Sequence, residues 1–349
     1  MKEILEPVEQ CVITVDPQVG SAHFSECGRF LLAGSFDGRV RRWDVSDPQT
    51  PRELEAFTQH QAWVSPVVTR DGVAFSADSW GGVAAWRYDA DGPQTLWSVE
   101  EAHDGWCRQL AITKDCLATC GRDQRIGLWN PADGNSIGEL QGHENDIYSL
   151  AFHPSDSNLL ASGDAKGIVK IWDLAARRCL RDLDASLLFT LHRLQDVGGV
   201  KCLTFDATGE RLAACGTKPK NGGTVQGEPT IMIFDVATGQ LKQTLFVGPS
   251  KDCYVHEMHF HSDGYIMAVT CGAAGTGRLL FQKLDAEKPF YASKKLINCH
   301  SLSRSPDGSR LAVTTTNRNS NGNGRRLDDD GQYEGNTTPI HMLSMPQSE

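Results

Sequence analysis

The chain has 349 residues, 44 acidic against 34 basic, and a formal net charge of −10 at pH 7; that balance opposes phosphate backbones, which need clustered Lys and Arg, so no nucleic-acid partner is expected. No apolar run of about 18 residues occurs, so no membrane span is expected, and the opening MKEILEPVEQ has acids and a proline where an export signal needs an apolar core. The eleven cysteines are an odd number scattered along the chain, the usage of small buried residues in a reduced, cytoplasmic protein rather than of a disulfide framework.

In chain order the predicted elements repeat. Trp43, Trp86, Trp129 and Trp172 stand 43 residues apart each time, so the first half is one structural unit copied four times. LLAGSFDGRVRRWD ends at Asp44, LATCGRDQRIGLWN at Asn130 and LLASGDAKGIVKIWD at Asp173. Each reads as a strand, a tight turn and a strand closing on Trp. Two units open upstream with a histidine, AHDGW at His103 and QGHEND at His143. The second half degrades the pattern: CLTFDATGERLAACG leads to IMIFDV at Phe234, MHFHSDGYIMAVTCG to RLLFQ at Phe281, and LSRSPDGSRLAVTTT to IHMLSM.

These motifs resemble the WD-repeat family of β-propellers over nearly the whole chain. The resemblance implies an all-β fold, a seven-bladed β-propeller of four-stranded antiparallel blades around a channel. Residues 1–349 then form a single domain with blades at about 12–58, 59–100, 101–142, 143–185, 199–249, 250–295 and 296–345. In this family the N-terminal strand commonly completes the last blade, so residues of about 3–10 are expected to pair with the C-terminal strand and remove exposed sheet edges. Insertions at 186–199, 217–230 and 316–339 are expected to project from one face, and the apolar SLLFTLHRL within the first reads as one or two helical turns.

The resemblance also implies a buried network of His103, Thr119, Asp123 and Trp129 in the third blade. The first three have the composition of a catalytic triad, but a triad needs an exposed nucleophile and an oxyanion hole, for which the chain has no sequence; no catalytic residue is assigned. The fourth blade keeps His143, Ser162 and Trp172 with Lys166 at the acid's position. The second keeps His60, Ser76 and Trp86 with Trp80 there, and the first keeps Asp37 and Trp43 with Ala33 replacing the hydroxyl. Only the third network is expected to be complete.

Cys120, Cys215 and Cys271 each precede a glycine at matching positions, which belong to different blades and point into separate interfaces. His256, His259 and His261 in HEMHFH are a thin ligand set without an acid or cysteine beside them. The segment 317–328 has calcium-loop spacing, with Asn317, Asn319, Asn321, Gly322 and Asp328 in ligand-like places, but lacks the first acid and flanking helices. No metal and no cofactor is expected.

Aligning the blades on Val19, Val64, Cys107, Ile147, Val200, Val255 and Cys299 places Gly20, Ser65, Arg108, Tyr148, Lys201, His256 and His300 one residue later, around the channel mouth. One residue earlier stand Gln18, Trp63, Trp106, Asp146, Gly199, Tyr254 and Asn298, with Trp80 on a neighbouring turn. Aromatic residues and arginine around a concavity have the composition of binding hot spots. The expectation is a non-enzymatic, monomeric scaffold that holds another protein within a larger assembly. An acidic or phosphorylated segment would pair with Arg108 and Lys201, more tightly as His256 and His300 protonate toward a pH of about 6. The alternative is a small-ligand or metal-binding catalytic propeller in the manner of the lactonases. That site needs several acids or amides at the inner-strand starts, where Asp146, Asn298 and Gln18 stand far apart round the ring.

Overall fold

The computed structural model describes residues 6–220, 226–293, 295–317 and 337–345. Their strands form seven four-stranded antiparallel sheets and one two-stranded hairpin, and no helix among them is long and apolar enough to cross a membrane. In each sheet the first strand in space is the innermost: Val19–Phe24, Val64–Arg70, Cys107–Ile112, Ile147–Phe152, Cys202–Phe205, Tyr254–Phe260 and Cys299–Arg304. Second strands such as Phe30–Ser35 and Leu117–Gly121 are buried on both faces. They therefore read as continuous apolar and small runs, while outer strands such as Arg52–Phe57 alternate with solvent.

The packing unit is the interface between blades rather than the blade. Among the described residues seven apolar clusters form, each assembled from two neighbouring sheets. Val64, Val67 and Trp86 of the second blade meet Leu32, Val40 and Phe57 of the first, for example, as expected where each repeat buries its faces only against its neighbours.

The ring closes between the seventh sheet and the first. The seventh is built from Cys299–Arg304, Arg310–Thr315, Thr338–Ser344 and, outermost, Val8–Val15. Ile13 pairs with Ile340 and Val15 with Thr338. The pairing strand therefore runs over 8–15 rather than the expected 3–10, and residues 12–15 leave the first blade. Cys11, Ile13 and Val15 alternate inward onto Val19, Ile340 and Met342, so this stretch carries the inward face; residues 1–5 lie outside the described set. Across the closure Phe24 N donates to Ser303 Oγ at 3.0 Å, and Arg310 donates to the carbonyls of Gly28 and Val45, each at 2.6 Å.

The insertions differ from expectation. SLLFTLHRL forms one 3-10 turn, Ser186–Leu188, and then a hairpin of Phe189–His192 with Gln195–Gly198. Leu188 is buried between the fourth and fifth blades, and β-branched and aromatic neighbours favour the extended form for the rest. The two ends of the 217–230 segment are strand, since Arg211–Pro219 and Gly227–Asp235 stay in register to Pro219 opposite Gly227; residues 221–225 lie outside the described set. Most of 316–339 lies outside the described residues, including Asn319, Asn321, Gly322 and Asp328 of the calcium-like spacing.

Candidate functional site

Six inner strands carry a register shift immediately after their first core residue, at Val19/Ser21, Val64/Val67, Cys107/Gln109, Ile147/Ser149, Val255/Glu257 and Cys299/Ser301. In the fifth, Lys201 N donates to Cys215 O at 2.8 Å while Cys202 also pairs with Cys215. A bulge re-aims the extra residue and ends regular pairing. The skipped residues include Gly20, Ser65, Arg108, Tyr148, His256 and His300, and Lys201 occupies the same place, so one backbone device sets the whole ring.

The side chains at this end form a continuous arc. Trp63 stacks on Phe36 at 5.1 Å and meets Trp106 edge-on at 6.1 Å. The Arg108 guanidinium lies 4.1 Å over Trp106 and 5.4 Å from the Tyr148 ring centre. Lys201 Nζ is 4.3 Å from Tyr148 and 5.7 Å from Tyr254. Tyr254 meets His256 at 5.9 Å, and His256 meets His300 at 5.6 Å. Rings follow one another from the first blade to the seventh, and between Trp106 and Tyr254 they alternate with the cations Arg108 and Lys201, each pair adding cation–π or ring attraction.

Exposure and charge vary along the arc. Trp63 is 50% and Trp80 67% exposed; with Phe36, Gln61 and Trp106 they line an open cleft of about 450 Å³. Arg108 pairs with Asp146 at 3.5 Å. Lys201 makes no ion pair among the described residues, and burial with the Arg108 charge beside it pulls its ammonium down to about 8. Burial pulls His300 down to about 4, and burial with the charges of His300 and Lys201 holds His256 well below the usual imidazole range. The expected protonation of both histidines toward a pH of about 6 is therefore corrected: the inner channel wall keeps them neutral there.

Further out, three blades carry the histidine network. In the third, His103 Nδ1–H donates to Asp123 at 2.9 Å, Thr119 hydroxyl donates to Nε2 at 2.7 Å, and Trp129 Nε1 donates to the same hydroxyl oxygen at 2.9 Å. In the fourth, His143 joins Asp164 at 2.9 Å and Ser162 at 2.7 Å, and Trp172 donates to Ser162 at 2.7 Å. Expecting only the third to be complete is thus corrected; the acid is Asp164, not the residue at 166. In the second, His60 joins Asp78 at 2.8 Å and Ser76 at 2.7 Å, but the buried Trp86 Nε1 has no hydrogen-bond partner among the described residues and the ring stacks on Phe57.

The remaining motifs separate. Cys120 Sγ faces Ile147 O and Cys215 Sγ faces Val255 O, in different interfaces. His259 Nε2 donates to Leu302 O at 2.8 Å, and His261 stacks on Tyr265. Asp146, Asn298 and Gln18 do not come together: Asp146 pairs with Arg108, Asn298 Nδ2 donates to Asn317 O, and Gln18 O accepts from Phe36 N.

A family model described as WD domain, G-beta repeat, matches residues 9–44 and 134–173. Topless-related protein 4 of Arabidopsis thaliana is 26% identical over 261 residues, 70% of this chain and 20% of that protein. The guanine nucleotide-binding protein subunit beta of Oryza sativa subsp. japonica is 25% identical over 268 residues, 72% of this chain and 62% of that protein. Nuclear distribution protein PAC1-2 of Uncinocarpus reesii is 27% identical over 188 residues, 47% of this chain and 40% of that protein. The chain thus spans less than two thirds of the length of each of these relatives. Its seven four-stranded sheets, closed ring and His–hydroxyl–Trp networks agree with the matched repeats: the chain carries WD repeats at residues 9–44 and 134–173 and is similar over most of its length to WD-repeat β-propellers.

Proposed function

We propose that this propeller is a non-enzymatic cytoplasmic scaffold whose channel mouth holds an acidic or phosphorylated segment of another protein. The observation that carries the reading is the arc from Trp63 to Tyr254, in which Lys201 is a half-buried cation held between two tyrosine rings without a carboxylate partner among the described residues. Desolvating a cation without a counter-charge is costly, and an incoming anion supplies one. Trp63, Trp80 and Trp106 give the apolar contact area that hot spots concentrate. Arg108, stacked on Trp106 and held by Asp146, is pre-oriented to share a second anionic oxygen. Tyr148 and Tyr254 flank Lys201, and His256 and His300 extend the wall as neutral rings.

The test compares immobilised acidic, phosphorylated and neutral peptide arrays probed with wild type, with Lys201→Glu plus Arg108→Glu, and with Trp63→Ala plus Trp106→Ala. Expected is selective capture of anionic peptides by wild type, weakened at least about tenfold by either double variant, as for truncated hot spots. Equal capture of neutral peptides, or affinity unchanged by the charge reversal in folded protein, overturns the reading.

A further inference from the structure

At the seventh-blade end of the arc, two neighbouring inner strands present imidazoles to a thiol. A ring nitrogen of His256, a ring nitrogen of His300 and Cys271 Sγ all lie within 4.8 Å of one another. The backbone explains the meeting. His256 and His300 are the bulged residues of adjacent blades. Cys271 ends the strand Tyr265–Cys271, opposite Tyr254, two residues before His256. The three groups come from two blades, so the HEMHFH spacing offered only His256 of the three, and neither His300 nor Cys271 stands beside it in the sequence.

A second observation points to a ligand. His300 Nε2 is shielded from solvent and has no hydrogen-bond partner among the described residues. A buried ring nitrogen without a partner is an exception in folded proteins, and metal coordination satisfies it without a proton donor. Cys271 is a free thiol, almost wholly buried, so its sulfur faces the rings rather than bulk water.

We infer that His256, His300 and Cys271 bind one zinc(II) ion, with the fourth position left open. Two imidazoles and one thiolate are the borderline and soft donors that zinc selects, whereas magnesium and calcium demand oxygen. Bond lengths of about 2.0–2.1 Å to nitrogen and about 2.3 Å to sulfur, set tetrahedrally, separate ligand atoms by roughly 3.4–3.7 Å. The widest observed pair must close by about 1 Å, within the swing of an imidazole about its side-chain torsions. As the zinc–sulfur bond forms, the Cys271 S–H proton passes to solvent, while each imidazole donates a lone pair and loses no proton. One ion bound therefore releases one proton. The Lys201 charge, which bears on His256, opposes the incoming cation and sets this site below fully enclosed structural zinc sites in affinity. The inference needs no partner at the mouth, and its failure leaves the proposed function standing.

The full chain, stripped by a chelator and kept reduced by a phosphine, is titrated with cobalt(II) and then zinc(II). Expected are one cobalt per chain, a near-ultraviolet thiolate-to-cobalt charge-transfer band, its loss as zinc displaces cobalt, and one proton released per ion. Cys271→Ser removes the band, and His300→Gln, which deletes a direct ligand, weakens zinc binding by more than the roughly 10–100-fold that loss of an outer-shell partner costs, while Cys27→Ser, at an exposed cysteine, changes neither. Variants are accepted once their metal-free thermal unfolding matches wild type; if His300→Gln does not fold, His256→Gln takes its place. Folded wild type that binds no stoichiometric cobalt, or a band and affinity unchanged in the Cys271 and histidine variants, overturns the inference.

Discussion

Trp86 and Trp172 occupy the same place in two blades and are both buried, yet they differ at the indole N–H: Trp172 donates to Ser162 Oγ at 2.7 Å, while Trp86 Nε1 has no partner among the described residues. Replacing either by Phe removes similar ring area. Trp172→Phe also deletes a buried hydrogen bond, whereas Trp86→Phe deletes an unsatisfied donor, which offsets part of the loss. Trp172→Phe should therefore cost about 1–3 kcal/mol more than Trp86→Phe, read from urea midpoints; equal costs would mean that the indole bond contributes nothing. The acids of these networks were only partly legible in the sequence. Asp123 lies four residues after its hydroxyl partner Thr119, but Asp78 and Asp164 lie two after Ser76 and Ser162. A tight turn folds the fourth residue back over the second, so either offset brings a carboxylate to the imidazole, and a search at one spacing misses the other. At the second position the carboxylate also ties down the turn, since Asp78 Oδ1 accepts from Trp80 N and Gly82 N, and Asp164 Oδ1 from Lys166 N and Ile168 N. Acid pH tests the third network. Burial pushes the Asp123 carboxyl up, but the hydrogen bond from His103, with donors from Asp104 N and Arg125, outweighs it and holds the group well below the usual carboxylate range. With the folded value depressed, its contribution is complete above the unfolded value of about 3.9 and is lost as pH falls through the folded one. The stability gap between wild type and Asp123→Asn should therefore be widest above a pH of about 5 and narrow steadily below about 4. A gap independent of pH across that range would sink this account.

At the scale of strands, what the sequence showed was period and what it hid was phase. The 43-residue Trp spacing marks every third strand of the first four blades, because an indole-sized core residue recurs where blades of equal length stack. The mouth was legible for the same reason: the first apolar residue of each inner strand is a fixed marker, and a register shift follows it in six of the seven blades. Alignment on that marker found Arg108, Tyr148, Lys201 and the histidines without any knowledge that a bulge aims them. The Cys271 thiol was not legible, since it reaches the ring from the end of a second strand, and the periodicity that separates Cys120, Cys215 and Cys271 says nothing about what each faces. The hairpin at 189–198 was hidden by local composition: an apolar run too short to show a period of two or of 3.6 fits helix and strand alike. Its tip leaves Leu194 at 94% exposure, a residue that no core claims.

Closure of the whole ring follows from the offset between repeat and blade. The matched segments 9–44 and 134–173 each begin near an outer strand and run through the first three strands of the next sheet. A chain written in such units must borrow its first strand for its last blade, and Val8–Val15 is that strand. The pairing joins residues more than 300 positions apart, as Ile13 with Ile340, and covers an edge that would otherwise template association. Because stability in a stacked array is a sum over neighbours, opening one junction removes the seventh-to-first interface while leaving the others intact. Deleting residues 1–15 should lower the melting temperature and bring concentration-dependent light scattering, with the lost burial of Val15 contributing about 1.5–3 kcal/mol and that of the half-buried Ile13 less. Face decides which point substitution reproduces the deletion. Ile13 packs inward, whereas Val12 is 42% exposed; Ile13→Asp should behave like the truncation, and Val12→Lys, which blunts an edge without entering the core, should stay within about 0.5 kcal/mol of wild type. If both substitutions were silent and the truncated chain melted with the full one, closure would be incidental and the ring would be held by the inner strands alone.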